Sequence, residues 1–562
     1  MAETLRRQTL LVYLALALIL TTGLAFRVLG VAVRPGLDHD EAMHLLVATC
    51  NQQPYKQVLA QYQSSELRTT SIAEWQEFIH VRNPLCFGTI ASDLREWEVH
   101  PPLYLWLLNL WMSLLGDSLF AIRCLNVVVD VASILALFYV SRDLLGRKYA
   151  LLAAALYALT PACLKISGQA RSYALLVLCN LVALWAILQI TRKPTAWHGW
   201  IVWAWAVSIG LVAEYMFVVV FAPMALYMLL FFLKRKRLLW KQFIASALII
   251  SPFVIGIAWL YWQQKNYAAD YGWSPEGRHP AAALLFLFLD IAGGVKPERL
   301  SDGFSLLVAN VMAVGVSVYS LWAIKDRGIR WLFLLLFSTT VFGPILFYTL
   351  GLSPPWAYGA KYQSTAVPYI ILAVVYFISR LGHRRLRVLA ALILMGSFAL
   401  ALAFVIRFKA AEANTVISPD TINRLPYAEL VIIDIAPEYW GMLYPATSSW
   451  PDTQRVLIAG QKKLLRGAAL REAIRNKGSI LYVSDLWHGD NTINQRHQIL
   501  SLLQSEFDTL SPESTPSPLA NLRCLTGGVY QVYFFDRHES SQLTHGHIES
   551  AALKPEHVGA IP

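Results

Sequence analysis

The sequence predicts an α-helical polytopic membrane protein that carries a C-terminal α/β domain outside the membrane. Of its 562 residues, 56% are hydrophobic and only 15% are charged, a composition typical of membrane proteins. The 19 Trp and 25 Tyr residues suit membrane interfaces. Beyond residue 410, short apolar runs alternate with a helical pattern, which is typical of a small α/β domain.

About 11 apolar stretches are candidates for membrane spans, because about 20 apolar residues are needed to cross a bilayer. They lie at residues 9–33, 119–140, 149–164, 172–191, 200–214, 215–233, 239–261, 304–324, 330–350, 363–380 and 386–407. A further stretch, 101–116, is apolar, but its helix reaches only about 24 Å and is short for a span. We therefore predict that it lies in the outer membrane interface.

The formal net charge of +11 suggests two kinds of partner, nucleic acid or a membrane. Lys and Arg residues cluster in short segments between apolar runs, at 233–241 and 380–388, which indicates membrane topology and no nucleic-acid partner. With these clusters inside, the N-terminus is cytoplasmic. Residues 34–118 then form a long first extracytoplasmic loop, and everything after Arg407 is extracytoplasmic.

Four apolar segments of the C-terminal region are predicted to be buried strands, at residues 429–435, 455–460, 479–487 and 529–536. Residues 462–478 have the periodicity of a helix. No glycine-rich nucleotide-binding motif accompanies them. The predicted domains are a transmembrane domain at 1–410, an extracytoplasmic α/β domain at 411–540 and a flexible tail at 541–562.

Cysteine residues are sparse, at six in the chain. Cys50 and Cys86 both fall in the predicted outer loop, where an oxidising compartment would allow a disulfide. The sequence leaves the pairing open, with Cys524 unpaired. No Cys/His cluster has the spacing of a metal site.

The candidate chemistry lies among ionisable and polar residues on the predicted outer side, where charges near a membrane tend to be functional or paired. The segment GLDHDEAMHLL at 36–46 directly follows the first span. The candidates are Asp38, Asp40, Glu41, His100, Gln169, Arg171, Glu214, Lys361 and Tyr362. Carboxylates beside cations suit an acceptor hydroxyl deprotonated by an acid residue, with a phosphate leaving group held by Arg or Lys.

Three motifs resemble the membrane glycosyltransferases of the GT-C superfamily, and most closely family 39, with the protein O-mannosyltransferases and the aminoarabinose transferase of lipid A. They are LDHDEAMHLL, HPPLYLWLLNLWMSLLGDSLFAIRCLN at 100–126 and LYALTPACLKISGQARSYALLVL at 156–178. A looser likeness is AKYQSTAVPYIILA at 360–373. The family's second-loop motif has a Glu where this chain has Gln169.

The resemblance implies a bundle of transmembrane helices whose active site opens to the outer face and whose donor is a sugar on a polyprenyl phosphate. Asp40 would be the general base, with inversion at the anomeric carbon, and Glu41 its neighbour. Arg171 and Lys361 would hold the lipid phosphate, and His100 would line the cleft with Gln169 and Tyr362. The acceptor would be a lipid, a glycan or a protein, and the enzyme would lie in the plasma membrane.

Each candidate residue also has a structural interpretation. Asp38 and Asp40 suit the cap of a helix that begins at Glu41, and Glu214 suits a turn. His100 precedes a Pro-Pro helix start, while Arg171 and Lys361 suit membrane-interface anchors. Asp38, Asp40 and His44 have the spacing to hold a divalent cation, although no cofactor is required by the predicted reaction.

Other functions compatible with the sequence are a surface-glycan polymerase or ligase, a non-catalytic membrane scaffold and a lipid transporter. A transporter needs polar residues along a path through the membrane, and the spans at 304–324 and 386–407 are nearly free of them. The predicted function is therefore a glycosyltransferase that uses a polyprenyl-phosphate sugar donor.

Overall fold

The chain was analysed as a computed structural model. The structure describes residues 2–34, 36–64, 67–95, 100–270, 315, 318–320, 322–349, 364–412, 417–435, 440–466, 468–485, 493–507, 518–523 and 529–537. The predicted span at 304–324 lies mostly outside these ranges, and the predicted tail at 541–562 lies wholly outside them.

The structure is mostly helical. The helices before residue 271 are α1 (Ala2–Ala32), α2 (His39–Ala48), α3 (Gln52–Ser64), α4 (Ile72–Gln76), α5 (Phe87–Asp93), α6 (Leu103–Leu115), α7 (Leu119–Leu145), α8 (Arg147–Leu159), α9 (Pro161–Ser167), α10 (Tyr173–Arg192), α11 (Trp197–Ala213) and α12 (Val218–Asp270). Helix α12 is broken at Arg235, within the basic cluster that separates two predicted spans. Two short 3₁₀ helices occupy Glu77–Ile79 and Tyr215–Phe217.

The later helices are α13 (Arg327–Thr349), α14 (Ala366–Arg380), α15 (Arg384–Glu412), α16 (Pro419–Ile422), α17 (Trp440–Thr447), α18 (Gln461–Leu464), α19 (Ala468–Ile474) and α20 (Ile493–Phe507). The prediction of a single helix at 462–478 is wrong, because the structure has two short helices, α18 and α19, in this segment. Strands occupy Thr69–Ser71 (β1), Leu430–Asp434 (β2), Arg455–Ile458 (β3), Ser479–Asp485 (β4), Ala520–Arg523 (β5) and Val529–Asp536 (β6).

The chain is a multi-pass membrane protein. Within the described ranges, six helices are long and apolar enough to cross a membrane, and the bent pair α8 and α9 would make a seventh span. The six are Arg6–Ala32, Leu119–Leu145, Tyr173–Arg192, Tyr215–Arg235, Leu238–Gln264 and Arg384–Arg407. Three shorter apolar helices, α6, α11 and α14, fall below the length of a span.

Contacts divide the chain into two compact units. The first, called the membrane unit, comprises residues 1–34 and 83–410. The second, called the loop-sheet unit, comprises residues 35–82 and 411–562. Part of the predicted outer loop therefore packs with C-terminal residues, and the boundaries predicted at 410 and 540 stay predictions.

A buried ion pair links three helices of the membrane unit. Arg27 of α1 donates from Nε to Asp130 Oδ2 of α7 at 2.5 Å, and its Nη1 donates to the carbonyl of Ala158 in α8 at 3.1 Å. Tyr157 donates its hydroxyl to Asp130 Oδ1 at 2.8 Å. Charges within membrane helices are costly unless they are paired, so this network fixes how α1, α7 and α8 pack.

The loop-sheet unit contains a six-stranded mixed sheet with the order β1-β3-β2-β4-β6-β5. Strand β2 pairs in parallel with β3 and β4, and β6 pairs antiparallel with β4 and β5. The four strands predicted from apolar runs are confirmed as β2, β3, β4 and β6. All five residues of β2 are buried, which explains why the first four are apolar. The fifth is Asp434.

Candidate functional site

The acidic segment after the first span starts a helix. Asp38 is the N-cap of α2, and its Oδ1 accepts a hydrogen bond from the backbone N–H of Asp40 at 3.0 Å. In return, Glu41 Oε2 accepts from the backbone N–H of Asp38 at 3.1 Å. The two residues form a capping box, which satisfies donors that a helix start leaves unpaired. The cap predicted for Asp38 is confirmed, whereas the cap predicted for Asp40 is wrong, because the helix begins at His39 and Asp40 lies in its first turn.

Glu41 and Asp40 differ in how far their side chains are exposed to solvent. Glu41 is fully buried, whereas the side chain of Asp40 is 30% exposed. The His39 ring nitrogen Nδ1 lies 3.4 Å from Asp40 Oδ1. Asp40 is in the first turn of α2, where the partial positive charge of the helix end favours a carboxylate. Asp40 therefore combines a solvent-reachable carboxylate with a fixed backbone, as a general base requires.

A second cluster of predicted residues lies in the membrane unit, around the start of α10. Arg171 is 3% exposed, and its Nη2 lies 3.2 Å from His100 Nε2. The same nitrogen donates to the hydroxyl of Tyr173 at 3.1 Å, and the guanidinium lies 5.2 Å from the centre of the Tyr173 ring. The structure thus brings together His100 and Arg171, which are 71 positions apart in the chain.

The backbone of this turn is held from α7. Asn126 Nδ2 donates to the carbonyl oxygens of Gln169 and Arg171, the latter at 2.6 Å. Asn126 is fully buried, and Gln169 is 8% exposed. The amide of Asn126 therefore fixes the turn that presents Arg171, and Gln169 lies in the same turn.

Beside this turn, the predicted candidate Glu214 contacts Ser172, a residue of the third motif that was not among the predicted site residues. Ser172 Oγ donates to Glu214 Oε2 at 2.5 Å, and both residues are buried. Glu214 is also the C-cap of α11, as its turn position suggested. Only the polarity of Glu214 within an apolar stretch signals this contact, because Ser172 and Glu214 are 42 positions apart.

An apolar cleft of about 250 Å³ opens in the membrane unit. Its lining includes Arg95, Pro102, Trp106, Phe253, Trp259 and Leu260. The Arg95 guanidinium lies 5.1 Å from the centre of the Trp259 ring. Near the cleft, Gln264 Nε2 donates to the carbonyl oxygens of Leu94 and His100, at 2.6 and 3.3 Å. Gln264 therefore joins α12, the helix that carries Trp259 and Leu260, to the backbone at Leu94 and His100.

The remaining predictions concern Lys361, Tyr362, the cysteine residues and a metal ion. Lys361 and Tyr362 lie outside the described residues. Cys50 and Cys86 are both disulfide-bonded. Among the residues that the structure describes, no group of three or more His, Cys, Asp or Glu side chains is arranged to hold a metal ion. His44, the residue suggested as a partner of Asp38 and Asp40, is 2% exposed.

Comparison with known proteins gives one family match. Residues 99–262 match the family model described as dolichyl-phosphate-mannose-protein mannosyltransferase. This segment includes His100, Gln169 and Arg171 and extends to the helix that lines the cleft. No curated protein matches the chain.

Solved structures resemble the chain at low identity. The Archaeoglobus fulgidus oligosaccharyltransferase is 13% identical, with a TM-score of 0.45, over 83% of this chain and 67% of that one. ArnT from Cupriavidus metallidurans, bound to undecaprenyl phosphate, is 12% identical, with a TM-score of 0.37, over 92% of this chain and 97% of that one. The S. cerevisiae protein O-mannosyltransferase Pmt1-Pmt2 complex is 14% identical, with a TM-score of 0.31, over 49% and 36%.

The family match confirms the resemblance to the protein O-mannosyltransferases over residues 99–262, which are less than a third of the chain. The three TM-scores lie below 0.5, so we infer function from the family match and from the residues it contains. The match covers the second and third of the three sequence motifs and ends before the C-terminal sheet.

Proposed function

We propose that the protein is a glycosyltransferase that moves a sugar from a polyprenyl-phosphate donor to an acceptor hydroxyl on the extracytoplasmic face. The observation that carries the proposal is the pairing of His100 with Arg171 inside the segment that matches a dolichyl-phosphate-mannose-dependent family. An arginine held between a histidine and a tyrosine is well suited to a phosphate, since its planar fork donates to two oxygens at once.

In the proposed reaction, Asp40 accepts the proton of the acceptor hydroxyl. The acceptor oxygen then forms a bond to the anomeric carbon of the sugar, while the bond from that carbon to the phosphate oxygen breaks. Attack opposite to the leaving group inverts the anomeric centre. The polyprenyl phosphate leaves as an anion, and the positive charge of Arg171 stabilises the negative charge that develops on it.

The other predicted residues support these two steps. Glu41 acts on Asp40 through the helix start, because its carboxylate is part of the capping box. His100 and Gln169 line the phosphate site, and we propose that Lys361 and Tyr362 contribute to it as well. The apolar cleft beside Arg95 and Trp259 would accommodate part of the polyprenyl chain.

The proposed partners are the lipid-linked donor, a lipid, glycan or protein acceptor, and the surrounding membrane lipids, with no nucleic acid. The proposed location is the plasma membrane, with a cytoplasmic N-terminus and an extracytoplasmic C-terminal domain. The reaction as proposed needs no cofactor. A divalent cation near Asp38, Asp40 and His44 is the alternative, which predicts that a chelator abolishes transfer.

The test is incubation of purified protein in nanodiscs with a radiolabelled polyprenyl-phosphate sugar and a panel of lipid, glycan and protein acceptors. A transferase releases unlabelled lipid phosphate and labels an acceptor. A surface-glycan polymerase or ligase labels products of increasing length, whereas a scaffold or lipid transporter leaves the label on the lipid. Label that stays on the lipid with every acceptor would contradict the proposal.

A further inference from the structure

The outer loop that carries Asp40 supplies an edge strand to the C-terminal sheet. Strand β1 pairs antiparallel with β3, with Thr69 opposite Leu457 and Ser71 opposite Arg455. Arg455 Nη2 also donates to the carbonyl oxygen of Thr69 at 3.3 Å. Segments almost 390 positions apart are therefore joined in one sheet by backbone pairing.

The helix that follows β1 is anchored to the same part of the C-terminal region. The backbone N–H groups of Ile72 and Ala73, at the start of α4, donate to the carbonyl oxygens of Gln454 and Asp452 at 3.0 and 3.2 Å. A helix start has several N–H groups without a partner inside the helix. Here a C-terminal loop satisfies two of them, so α4 depends on this loop for its position.

Gln76, at the end of α4, binds the segment that follows α17. Its Nε2 donates to the carbonyl oxygen of Trp450 at 3.0 Å and to that of Ser448 at 3.4 Å. Backbone carbonyl oxygens in the turn after a helix have no ladder partner and need donors from elsewhere. One side chain of the outer loop therefore holds the C-terminal end of α17.

Helix α17 is the surface on which α2 packs. Leu45 and Leu46 of α2 are buried, as are Leu443 and Tyr444 of α17. With only ten residues, α2 is too short to be stable in isolation, so its orientation comes from this packing. The C-terminal end of α2 is also held in place. Thr49 Oγ1 and Asn51 Nδ2 both donate to the carbonyl oxygen of Phe78, at 2.9 and 2.8 Å.

We infer that the C-terminal α/β domain serves as the platform that positions α2, and that Gln76 is a positioning residue for Asp40. The chain of contacts runs from Gln76 to the end of α17, and from α17 to α2. Asp40 lies in the first turn of α2, so the angle of this helix sets where the carboxylate points. The catalytic part of this inference rests on the proposed function, whereas the ordering of α2 does not.

The test compares three variants of the full-length protein in nanodiscs. Gln76→Ala removes the amide, and Gln76→Glu keeps the size of the side chain but replaces the donating NH₂ group by an acceptor oxygen. Gln57→Ala is the matched control, since Gln57 is an exposed glutamine of α3. Hydrogen exchange is measured for peptides that cover residues 39–48, 430–434 and 479–485.

Both Gln76 variants should speed amide exchange in residues 39–48 about tenfold and leave β2 and β4 unchanged. They should also lower kcat for sugar transfer about 10- to 100-fold, with KM for the lipid donor within about twofold of wild type. Gln57→Ala should change neither quantity.

Unchanged exchange in residues 39–48 for both Gln76 variants would overturn the inference, whatever the activity. Faster exchange with an unchanged kcat would overturn the positioning role of Gln76. If the wild-type protein transfers no sugar, the proposed function fails, and the exchange data alone then decide whether the domain orders α2.

Discussion

Asp130 of the membrane unit and Asp434 of the loop-sheet unit are both fully buried, and the two units accommodate them in opposite ways. In the membrane unit, Asp130 is fully buried and paired with Arg27 at 2.5 Å. In the loop-sheet unit, Asp434 is also fully buried, but its Oδ2 accepts hydrogen bonds from Gln461 Nε2 and the Tyr482 hydroxyl, at 2.7 and 2.9 Å. Burial raises the pKa of Asp434 to about 8, an effect that these hydrogen bonds only partly offset.

The contrast shows what an ionised carboxylate needs in this protein. Asp130 is supplied with a cation, whereas Asp434 keeps a proton at neutral pH because it gains only neutral donors. Asp40, the proposed base, has a third environment, in which 30% exposure and a helix start favour the charged form. Of the three aspartates, only Asp40 has a side chain that is exposed enough for an acceptor to reach.

The largest expected effect on the membrane unit follows from removing the charge of Asp130. Asp130→Asn should destabilise the protein by about 3 to 5 kcal/mol, since it leaves the guanidinium of Arg27 buried without its counter-ion. Thermal unfolding in detergent measures the loss. The double variant Arg27→Gln with Asp130→Asn removes both charges and should recover much of the stability. A single variant as stable as the wild type would show that the ion pair does not fix the helices.

The next expected effect is a pH dependence of the stability of the loop-sheet unit. Because the pKa of Asp434 is higher in the folded state than the usual unfolded value of 3.8, the folded state binds more protons between about pH 4 and pH 8. Stability should therefore fall as pH rises through this window, by up to about 1.4 kcal/mol per pH unit. Chemical unfolding followed by the Trp fluorescence of the unit measures this slope.

Asp434→Asn sharpens the same comparison. The amide cannot ionise, so the variant should lose this pH dependence and be more stable than the wild type at pH 8. At pH 4 the two proteins should be similar. A wild-type profile that is flat from pH 4 to pH 8 would mean that Asp434 is not held as the neutral acid.

Arg171 extends the comparison to a cation that we propose binds substrate. Arg171→Ala should weaken binding of the polyprenyl-phosphate donor about 10- to 100-fold, as expected for loss of a charge-assisted hydrogen bond. Arg171→Lys keeps the positive charge but not the planar guanidinium, so it should lose less donor affinity than Arg171→Ala. Binding of radiolabelled donor to purified protein measures both, and an unchanged affinity for Arg171→Ala would exclude the phosphate role.

The smallest effect concerns Ser172 and Glu214. Ser172→Ala removes one buried hydrogen bond to Glu214, which should cost about 1 kcal/mol of stability and leave donor binding within about threefold of wild type. Thermal unfolding measures the loss of stability, and the donor-binding assay measures the affinity for the donor. A loss of donor binding as large as that of Arg171→Ala would place Ser172 in the phosphate site.

Regular patterns in the sequence predicted much of the fold. Mostly apolar runs identified β2, β3, β4 and β6, because strands whose two faces are largely covered need apolar side chains on both faces. Strand β1 was not predicted, since Thr69, Thr70 and Ser71 form a short polar edge strand whose partner lies in the C-terminal region. Its pairing arises from tertiary structure and has no local signal.

For the candidate site too, the sequence predicted local features better than contacts between residues far apart in the chain. The N-cap role of Asp38 follows from local chemistry, but the reciprocal bond of Glu41 depends on the backbone of the finished helix start. The contact of His100 with Arg171 was reached only through the motif resemblance, because 71 positions separate the two. Gln76 has no motif at all, and its position at the end of α17 is visible only in the folded unit.

The most direct test of the proposed reaction is sugar transfer by Asp40→Asn compared with Asp38→Asn. Asn remains a good N-cap, so Asp38→Asn should keep at least about half of the wild-type rate. Asp40→Asn should lower the rate at least about 100-fold, while the protein still inserts into membranes and binds donor lipid, because the amide cannot accept the proton. Transfer by Asp40→Asn at the rate of the wild type would contradict the assignment of Asp40 as the base.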